Sequence, residues 1–159
     1  VAERSRARVQ PDVMTVHILR RAFRVDSLDD LKRSQKESMD VERAAGRPRR
    51  LYRRMRTTPT RSQEILDGGS IYWVIKGYVR ARQRILGIET RMDNEGRKRC
   101  FLRLSSKLVP TVLHPCKPRR GWRYLAPPDA PVDLPSAKHR FDDELPLDME
   151  VELRELGLL

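Results

Sequence analysis

The sequence predicts an α+β fold, in which a small mixed or barrel-like β-sheet has two or three flanking helices. The clearest observation is the segment IYWVI at residues 71–75, which is apolar at both parities and therefore typical of a strand covered on both faces. A polar segment at residues 28–45 has a thin apolar stripe at helical spacing, which is typical of a helix lying on a surface. Several short strand-like segments separated by turn residues complete the pattern.

A strand and a helix are predicted at the start of the folded region. Residues 14–23 (MTVHILRRAF) have an apolar centre and predict a first strand. The Asp26-Ser27 pair is a short polar cap for a helix over residues 28–45, because such side chains accept hydrogen bonds from the first backbone amides of a helix. Gly46 ends this helix.

A basic segment then leads to the central strand. Residues 47–61 are rich in arginine and contain no acidic residue. Within them, residues 51–57 predict a strand with Leu51 and Met55 pointing inward. Pro59 then opens a short helix, since proline is favoured at the first helical position.

The segment after the central strand is strongly basic on one face. Gly77 interrupts the apolar run, and we interpret it as a bulge or bend after which one strand leaves the core. Side chains in residues 78–88 should alternate between two faces. One face receives Val79, Ala81, Gln83 and Ile85, and the other receives Arg80, Arg82 and Arg84.

A turn at residues 93–96 (DNEG) predicts a hairpin with a returning strand over residues 97–104. If Met92 pairs with Arg97, the arginines of both strands share one face, whereas a bulge at Gly96 would separate them. We favour the shared face, because the two opposite faces then form one apolar surface. We define the hairpin arginines as Arg80, Arg82, Arg84, Arg97, Arg99 and Arg103.

The charge of the chain indicates a polyanionic partner. The net charge is +12, and 27 of the 34 basic residues are arginine. Arginine forks onto phosphate and stacks on bases, so this excess favours RNA or another polyanion as the partner. A GC-rich coding sequence, which also enriches arginine, is the alternative explanation.

The candidate nucleic-acid-binding residues combine cations with flat aromatic side chains, since phosphates bind cations and unpaired bases stack on rings. They are the hairpin arginines together with Arg56, Arg61, Trp122, Arg123 and Tyr124. Trp73 and Lys76 are candidates for a small-ligand pocket. A core tryptophan and a lysine extended to solvent are the alternatives for these two.

Catalytic and metal-binding patterns are weak. The three histidines lie in unrelated contexts, and the two cysteines are too far apart for a metal knuckle or a redox pair. The sequence therefore predicts no cofactor and no metal. An enzyme acting on a nucleotide-like ligand, with Glu64 and Asp67 beside the central strand, stays open as an alternative function. A protein-interaction adaptor is the other alternative.

Charge also divides the chain into regions. Residues 1–13 predict a disordered basic tail, residues 14–126 a basic α+β core domain, and residues 127–159 a proline-rich connector followed by an acidic helix packing on the core. The last region holds nine acidic and three basic residues. It could screen the basic core, or form a solvated helix. The chain shows no signal-peptide pattern and no apolar run of membrane-spanning length, which predicts a cytoplasmic protein.

The blocks GGSIYWVIKG, RQRIL and GWRYL resemble a bacterial family of unknown function, number 1489 in the domain-of-unknown-function series. The resemblance extends from residue 14 to the C-terminus and implies a stand-alone cytoplasmic bacterial protein. It implies no activity, cofactor or catalytic residue. The pattern of a basic loop, a short helix, a glycine-bounded apolar strand and a hairpin also resembles PUA-like and ASCH-like barrels. That resemblance implies binding of RNA or modified bases by analogy of fold.

Overall fold

The computed structural model describes residues 15–117 and 120–135 of the chain. The described elements are β1 (His17–Arg21), α1 (Leu28–Ala44), β2 (Leu51–Met55), α2 (Ser62–Leu66), β3 (Ser70–Ile75), β4 (Tyr78–Met92), β5 (Lys98–Leu104), β6 (Val109–Pro115) and β7 (Trp122–Leu125), followed by a 3-10 helix at Pro127–Asp129. The predicted tail at residues 1–13 and the acidic helix near the C-terminus lie outside the described residues. The elements confirm the predicted α+β class.

The seven strands form one mixed sheet in the order β2-β5-β4-β3-β1-β7, and β6 also pairs with β4. β1 runs parallel to β3, with Arg21 beside Val74, and every other pair is antiparallel. Since parallel strands point the same way, the carboxyl ends of β1 and β3 meet at one edge.

The sheet curls into a barrel-like form that stays open over the described residues. Side chains of β1 and β7 contact β2 and the segment that follows it. Arg20 on β1 donates a hydrogen bond from Nη1 to the carbonyl oxygen of Arg54 on β2 at 2.7 Å. The hydroxyl of Tyr124 on β7 accepts hydrogen bonds from the backbone amides of Thr60 and Arg61, at 2.9 and 3.1 Å.

Helix α1 forms as its sequence predicts. The Ser27 hydroxyl accepts a 3.1 Å hydrogen bond from the amide of Asp30, which satisfies one of the unpaired donors of the first turn. The thin apolar stripe packs into the core through Leu28, Leu31 and Met39. Mostly polar residues cover the remaining surface of the helix, although Val41 is also exposed.

The central strand β3 is buried at all six positions, which confirms that it is covered on both faces. Ile71, Trp73 and Ile75 belong to the main core. Tyr72 and Val74 belong to a second apolar cluster on the opposite face of the sheet. This strand therefore sits at the centre of the molecule, between two apolar layers.

Gly77 does not bend a continuing strand, and that interpretation is wrong. Lys76 and Gly77 have φ values of +50° and +82°, and they form a two-residue turn between β3 and β4. Positive φ at both central positions matches the twist of the flanking strands in a tight hairpin. The chain therefore reverses at this point, and β4 runs back along β3.

Two irregularities in β4 decide where its arginines lie. Trp73 pairs with Ala81 while Val74 pairs with Val79, so Arg80 is an extra residue in a bulge. This bulge moves Val79 into the second apolar cluster, away from the face that simple alternation predicts. Arg80 is fully buried and does not join an exposed face.

The second irregularity places Arg84 on the same face as the arginines of β5, as predicted, but the pairing register differs from the predicted one. Met92 pairs with Lys98 rather than with Arg97, which alone would separate the arginines of the two strands. A bulge between Ile85 and Gly87 shifts the pairing again. Arg84 consequently lies on the same side of the sheet as the outward residues of β5, opposite the buried Cys100, Leu102 and Leu104.

The first part of the connector packs on the sheet. Asp133 forms a bridge with Thr111 on β6, and the amide of Val112 donates a 2.9 Å hydrogen bond to the carbonyl oxygen of Val132. Leu134 is buried beside this strand. This region therefore forms part of the core domain up to residue 135.

Candidate functional site

The hairpin arginines are mostly engaged with protein groups. Arg82 forms two 2.7 Å hydrogen bonds with the carboxylate of Asp133. Arg97 and Arg99 contact Asp93, and Arg97 also contacts Glu95 at 2.6 Å. In the described part of the chain, Arg84 and Arg103 have no carboxylate within ion-pair distance. Of these two, Arg84 is exposed and Arg103 is half-buried. The hairpin is therefore a charge-compensated surface.

Three further candidates have structural contacts of their own. Arg61 pairs with Glu64 through two 2.8 Å hydrogen bonds and lies 5.2 Å from the ring centre of Tyr124. Tyr124 packs against the main core. Trp73 is only 1% exposed, belongs to the main core and lines a small cavity of about 40 Å³ that is separate from the larger ones.

A different surface concentrates basic residues around open space. Two adjoining cavities of about 750 and 360 Å³ share Arg20, Arg21 and Arg120 in their walls. We define the basic groove by its cations Arg20, Arg21, Arg53, Arg56, Lys76, Lys117, Arg120 and Arg123, with Phe23 and Trp122 beside them. Among the described lining residues of these two cavities there is no acidic side chain. Such a lining produces a positive electrostatic potential in the two cavities.

The sheet topology builds the groove. Parallel pairing places Arg20 and Arg21, at the end of β1, beside the turn that bears Lys76. Trp122 on β7 pairs with Arg20, which places the start of β7 next to the same edge. The curl of the sheet adds β2, whose Arg53 lies across from β1. Segments distant in sequence therefore meet at one place.

Burial perturbs Arg20 and Arg53, two cations of the groove. Burial, together with the positive charges of Arg53 and Arg54, lowers the pKa of Arg20 to about 10. Burial likewise lowers the pKa of Arg53. The Nε atom of Arg53 is buried and has no hydrogen-bond partner among the described residues. An anion in the groove would relieve both effects, because it offers opposite charge and acceptor oxygens.

Aromatic and apolar groups accompany these cations. Phe23 is 56% exposed, and the guanidinium carbons of Arg21 and Arg24 lie 5.7 and 5.2 Å from its ring centre. Leu19 and Val74 supply apolar surface in the larger cavity. The groove therefore places aromatic and apolar surface beside its cations.

Backbone strain occurs next to the groove. Arg24 and Lys76 are the described residues other than glycine with positive φ, at +63° and +50°. A left-handed conformation costs about 1–2 kcal/mol for a residue with a Cβ atom. The positive φ of Lys76 places this strain in the turn at the wall of the larger cavity.

Comparison with known protein families identifies the family of this chain. The family described as a protein of unknown function, DUF1489, matches residues 18–159. The chain belongs to the DUF1489 family. Comparison with curated proteins and with solved structures finds no match.

Four sequence-predicted residues of this DUF1489 chain lie in the basic groove: Arg56, Lys76, Trp122 and Arg123. Sequence reasoning did not single out Arg20, Arg21, Phe23, Arg53, Lys117 or Arg120. A usable signal existed at the ends of two apolar strands, where Arg20-Arg21 and Lys76 each follow a buried run. It required knowing that β1 and β3 pair in parallel.

The described ranges of this DUF1489 chain contain neither a metal-binding cluster nor a helix that could span a membrane. No three His, Cys, Asp or Glu side chains converge there in a way that could hold a metal ion. His17 is a packed strand histidine whose Nδ1 accepts a 3.0 Å hydrogen bond from the amide of Ser70. Of the helices described, none has the length and apolar character needed to cross a membrane.

Proposed function

We propose that this protein binds single-stranded RNA through the basic groove. The supporting observation is a pair of adjoining cavities with eight cations in their walls and no acidic side chain among the described lining residues of these two. Binding neutralises several phosphates at once and releases their counterions.

The aromatic groups favour an unpaired strand. Bases of single-stranded RNA can stack on exposed rings, whereas bases inside a duplex are already stacked on each other. Phe23 offers a largely exposed ring, and Trp122 lies at the wall of the larger cavity. Both rings are bordered by arginines, which also stack on bases.

The groove is a better candidate than the hairpin surface because, within the described ranges, carboxylates contact the hairpin arginines and none lines the two cavities of the groove. Arg82, Arg97 and Arg99 each contact a carboxylate. A phosphate would have to displace those carboxylates, which reduces the net gain from binding. Arg84 and Arg103 contact no carboxylate in the described part of the chain, so the hairpin is the competing location for RNA binding.

The test measures binding of a fluorescent single-stranded RNA of about 12 nucleotides, a length within the site sizes of such proteins. The groove variant Arg21→Ala/Arg56→Ala/Arg123→Ala removes three exposed cations. The matched control Arg84→Ala/Arg97→Ala/Arg103→Ala removes three hairpin cations. The dissociation constant is measured from about 50 to 200 mM salt for each protein.

We expect binding that weakens as salt rises, with a slope of log K against log salt that is shallower by about 2 in the groove variant. The hairpin control should keep most of the wild-type slope. A reversed pattern would move the site to the hairpin. Absence of binding at the lowest salt would exclude RNA as the partner.

A further inference from the structure

We infer that the larger cavity of the basic groove binds the polyphosphate group of a nucleotide, at the 5′ end of an RNA or in a free nucleoside triphosphate. The inference rests on the proposed function, because the same groove receives the rest of the strand. The chemical class of the ligand is inferred from the number of cations that line the cavity and from its volume.

Six cations from four separate segments line this one cavity. Arg20 and Arg21 come from the end of β1, and Lys76 comes from the β3–β4 turn. Lys117 follows β6, and Arg120 and Arg123 lie at the start of β7. The cavity measures about 750 Å³, which is within the range of small-molecule sites. Convergence of this kind is typical of a site for one compact anionic group.

The charge of the ligand can be matched to these cations. An internal phosphodiester brings a single negative charge, so several consecutive nucleotides would be needed to bring as many negative charges as the cavity has arginine side chains. A 5′-triphosphate concentrates several negative charges in one place. A multiply charged terminal group therefore fits this part of the groove better than the interior of a strand.

The types of basic residue suit a polyphosphate. Lysine ammonium groups act as compact point charges on phosphate, whereas arginine forks bind two oxygens at once. Lys76 occupies a left-handed turn position that glycine or asparagine would adopt at lower cost. A phosphate contact at the mouth of the cavity gives a reason for lysine at this position.

The remaining walls suit the rest of a nucleotide. Leu19 and Val74 present apolar surface, and Trp122 presents a ring within the same cavity. The smaller adjoining cavity, with Phe23, Arg53 and Arg56, lies where the following nucleotides would continue. The terminal phosphates would thus sit in the larger cavity, with the strand leaving over β2.

The test uses the full-length protein and one RNA sequence prepared with a 5′-triphosphate, a 5′-monophosphate or a 5′-hydroxyl group. We expect the triphosphate RNA to bind about tenfold more tightly than the hydroxyl RNA at the same salt. Free adenosine and guanosine triphosphates are added as competitors. If a free nucleotide is the source, they bind as tightly as the triphosphate RNA, and if an RNA end is the source, they bind more weakly.

Two variants test whether a preference for the triphosphate RNA depends on the larger cavity. Lys76→Ala/Lys117→Ala and Lys117→Ala/Arg120→Ala should each reduce the preference for triphosphate to about twofold or less. The second variant leaves the β3–β4 turn unchanged. The control Lys36→Ala/Lys107→Ala removes two exposed lysines outside the groove and should keep the preference.

Each outcome separates this inference from the proposed function. Equal binding of the three RNAs, still weakened in Arg21→Ala/Arg56→Ala/Arg123→Ala, would overturn the polyphosphate site and leave RNA binding in place. A triphosphate preference that both cavity variants retain would also overturn it. Binding of free nucleoside triphosphates without any RNA binding would support the polyphosphate site and overturn the proposed function.

Discussion

The indole Nε1 of Trp73 donates a 2.8 Å hydrogen bond to Oε1 of Gln83 inside the core. The amide of Gln83 also exchanges two hydrogen bonds with Gln35 on α1, at 2.7 and 2.9 Å, and donates one to the carbonyl oxygen of Ser105. All four bonding positions of this fully buried amide are therefore used. The network fixes α1, β3 and β4 relative to one another.

We predict that Gln83→Leu lowers the free energy of unfolding by about 3 kcal/mol, because it leaves Trp73 and Gln35 buried without their partner. Urea denaturation measures the change. The exposed Gln63→Leu serves as control and should stay within about 0.5 kcal/mol of wild type. A comparable loss in both variants would contradict a special role for the buried network.

Gly69 occupies a position where no side chain fits. A Cβ atom there would lie 2.3 Å from the carbonyl oxygen of Ile65 and 2.5 Å from that of Val16. We expect Gly69→Ala to destabilise the fold by about 4 kcal/mol or more, since two backbone segments would have to separate. Chemical denaturation, or loss of soluble protein, reports the effect.

Gly87→Ala is the matched control for that variant. Its Cβ atom would meet only the Cβ of Arg103, at 3.9 Å. Alanine in a strand interior also loses less conformational freedom than glycine, so stability should stay equal or rise by about 0.5 kcal/mol. A loss similar to that of Gly69→Ala would show that both positions reject a side chain.

Lys76→Asn should separate stability from binding. Asparagine accepts positive φ in two-residue hairpin turns, so unfolding should require about 0.5–1 kcal/mol more free energy. RNA affinity should fall, because a cation of the groove is lost. Lys107→Asn, on an exposed loop, should change neither property. A variant that is more stable and still binds RNA normally would remove the functional explanation for the strain.

The turn of the β4–β5 hairpin should respond to acid. The Asp93 carboxylate accepts hydrogen bonds from the amides of Arg97 and Glu95 and from Nε of Arg99. The Arg97 amide, followed by the Arg99 side chain, lowers the pKa of Asp93 to about 2. Because the carboxyl is more acidic when folded, its stabilisation is complete above its usual pKa near 4 and is lost as pH falls through about 2.

Carboxyl chemical shifts, followed by NMR, measure this titration directly. The Asp93 signal should have its midpoint near pH 2, and hydrogen-exchange protection of the Arg97 amide should fall with it. Asp93→Asn should abolish the pH response of that amide, and Glu95→Gln should retain it. A midpoint near pH 4 would contradict the hydrogen bonding at this turn.

Local patterns anticipated much of the fold because they depend on neighbouring residues. The cap at Ser27 and the thin apolar stripe place α1 correctly, and burial of IYWVI on both faces follows from its apolar composition. Alternation failed at Arg80 and Val79, because a bulge adds one residue that no local pattern reveals. The Lys76-Gly77 turn was missed because lysine is unusual at positive φ.

The sequence by itself determined the α+β class, the central buried strand and the excess of positive charge, since composition and periodicity are local properties. Only the tertiary structure decided which cations lie close together in space. The basic groove joins residues from β1, β2, the β3–β4 turn and the start of β7. Their meeting depends on the parallel pairing of β1 with β3 and on the curl of the sheet. Both depend on packing contacts between residues that are far apart in sequence. No single segment therefore contains the basic groove.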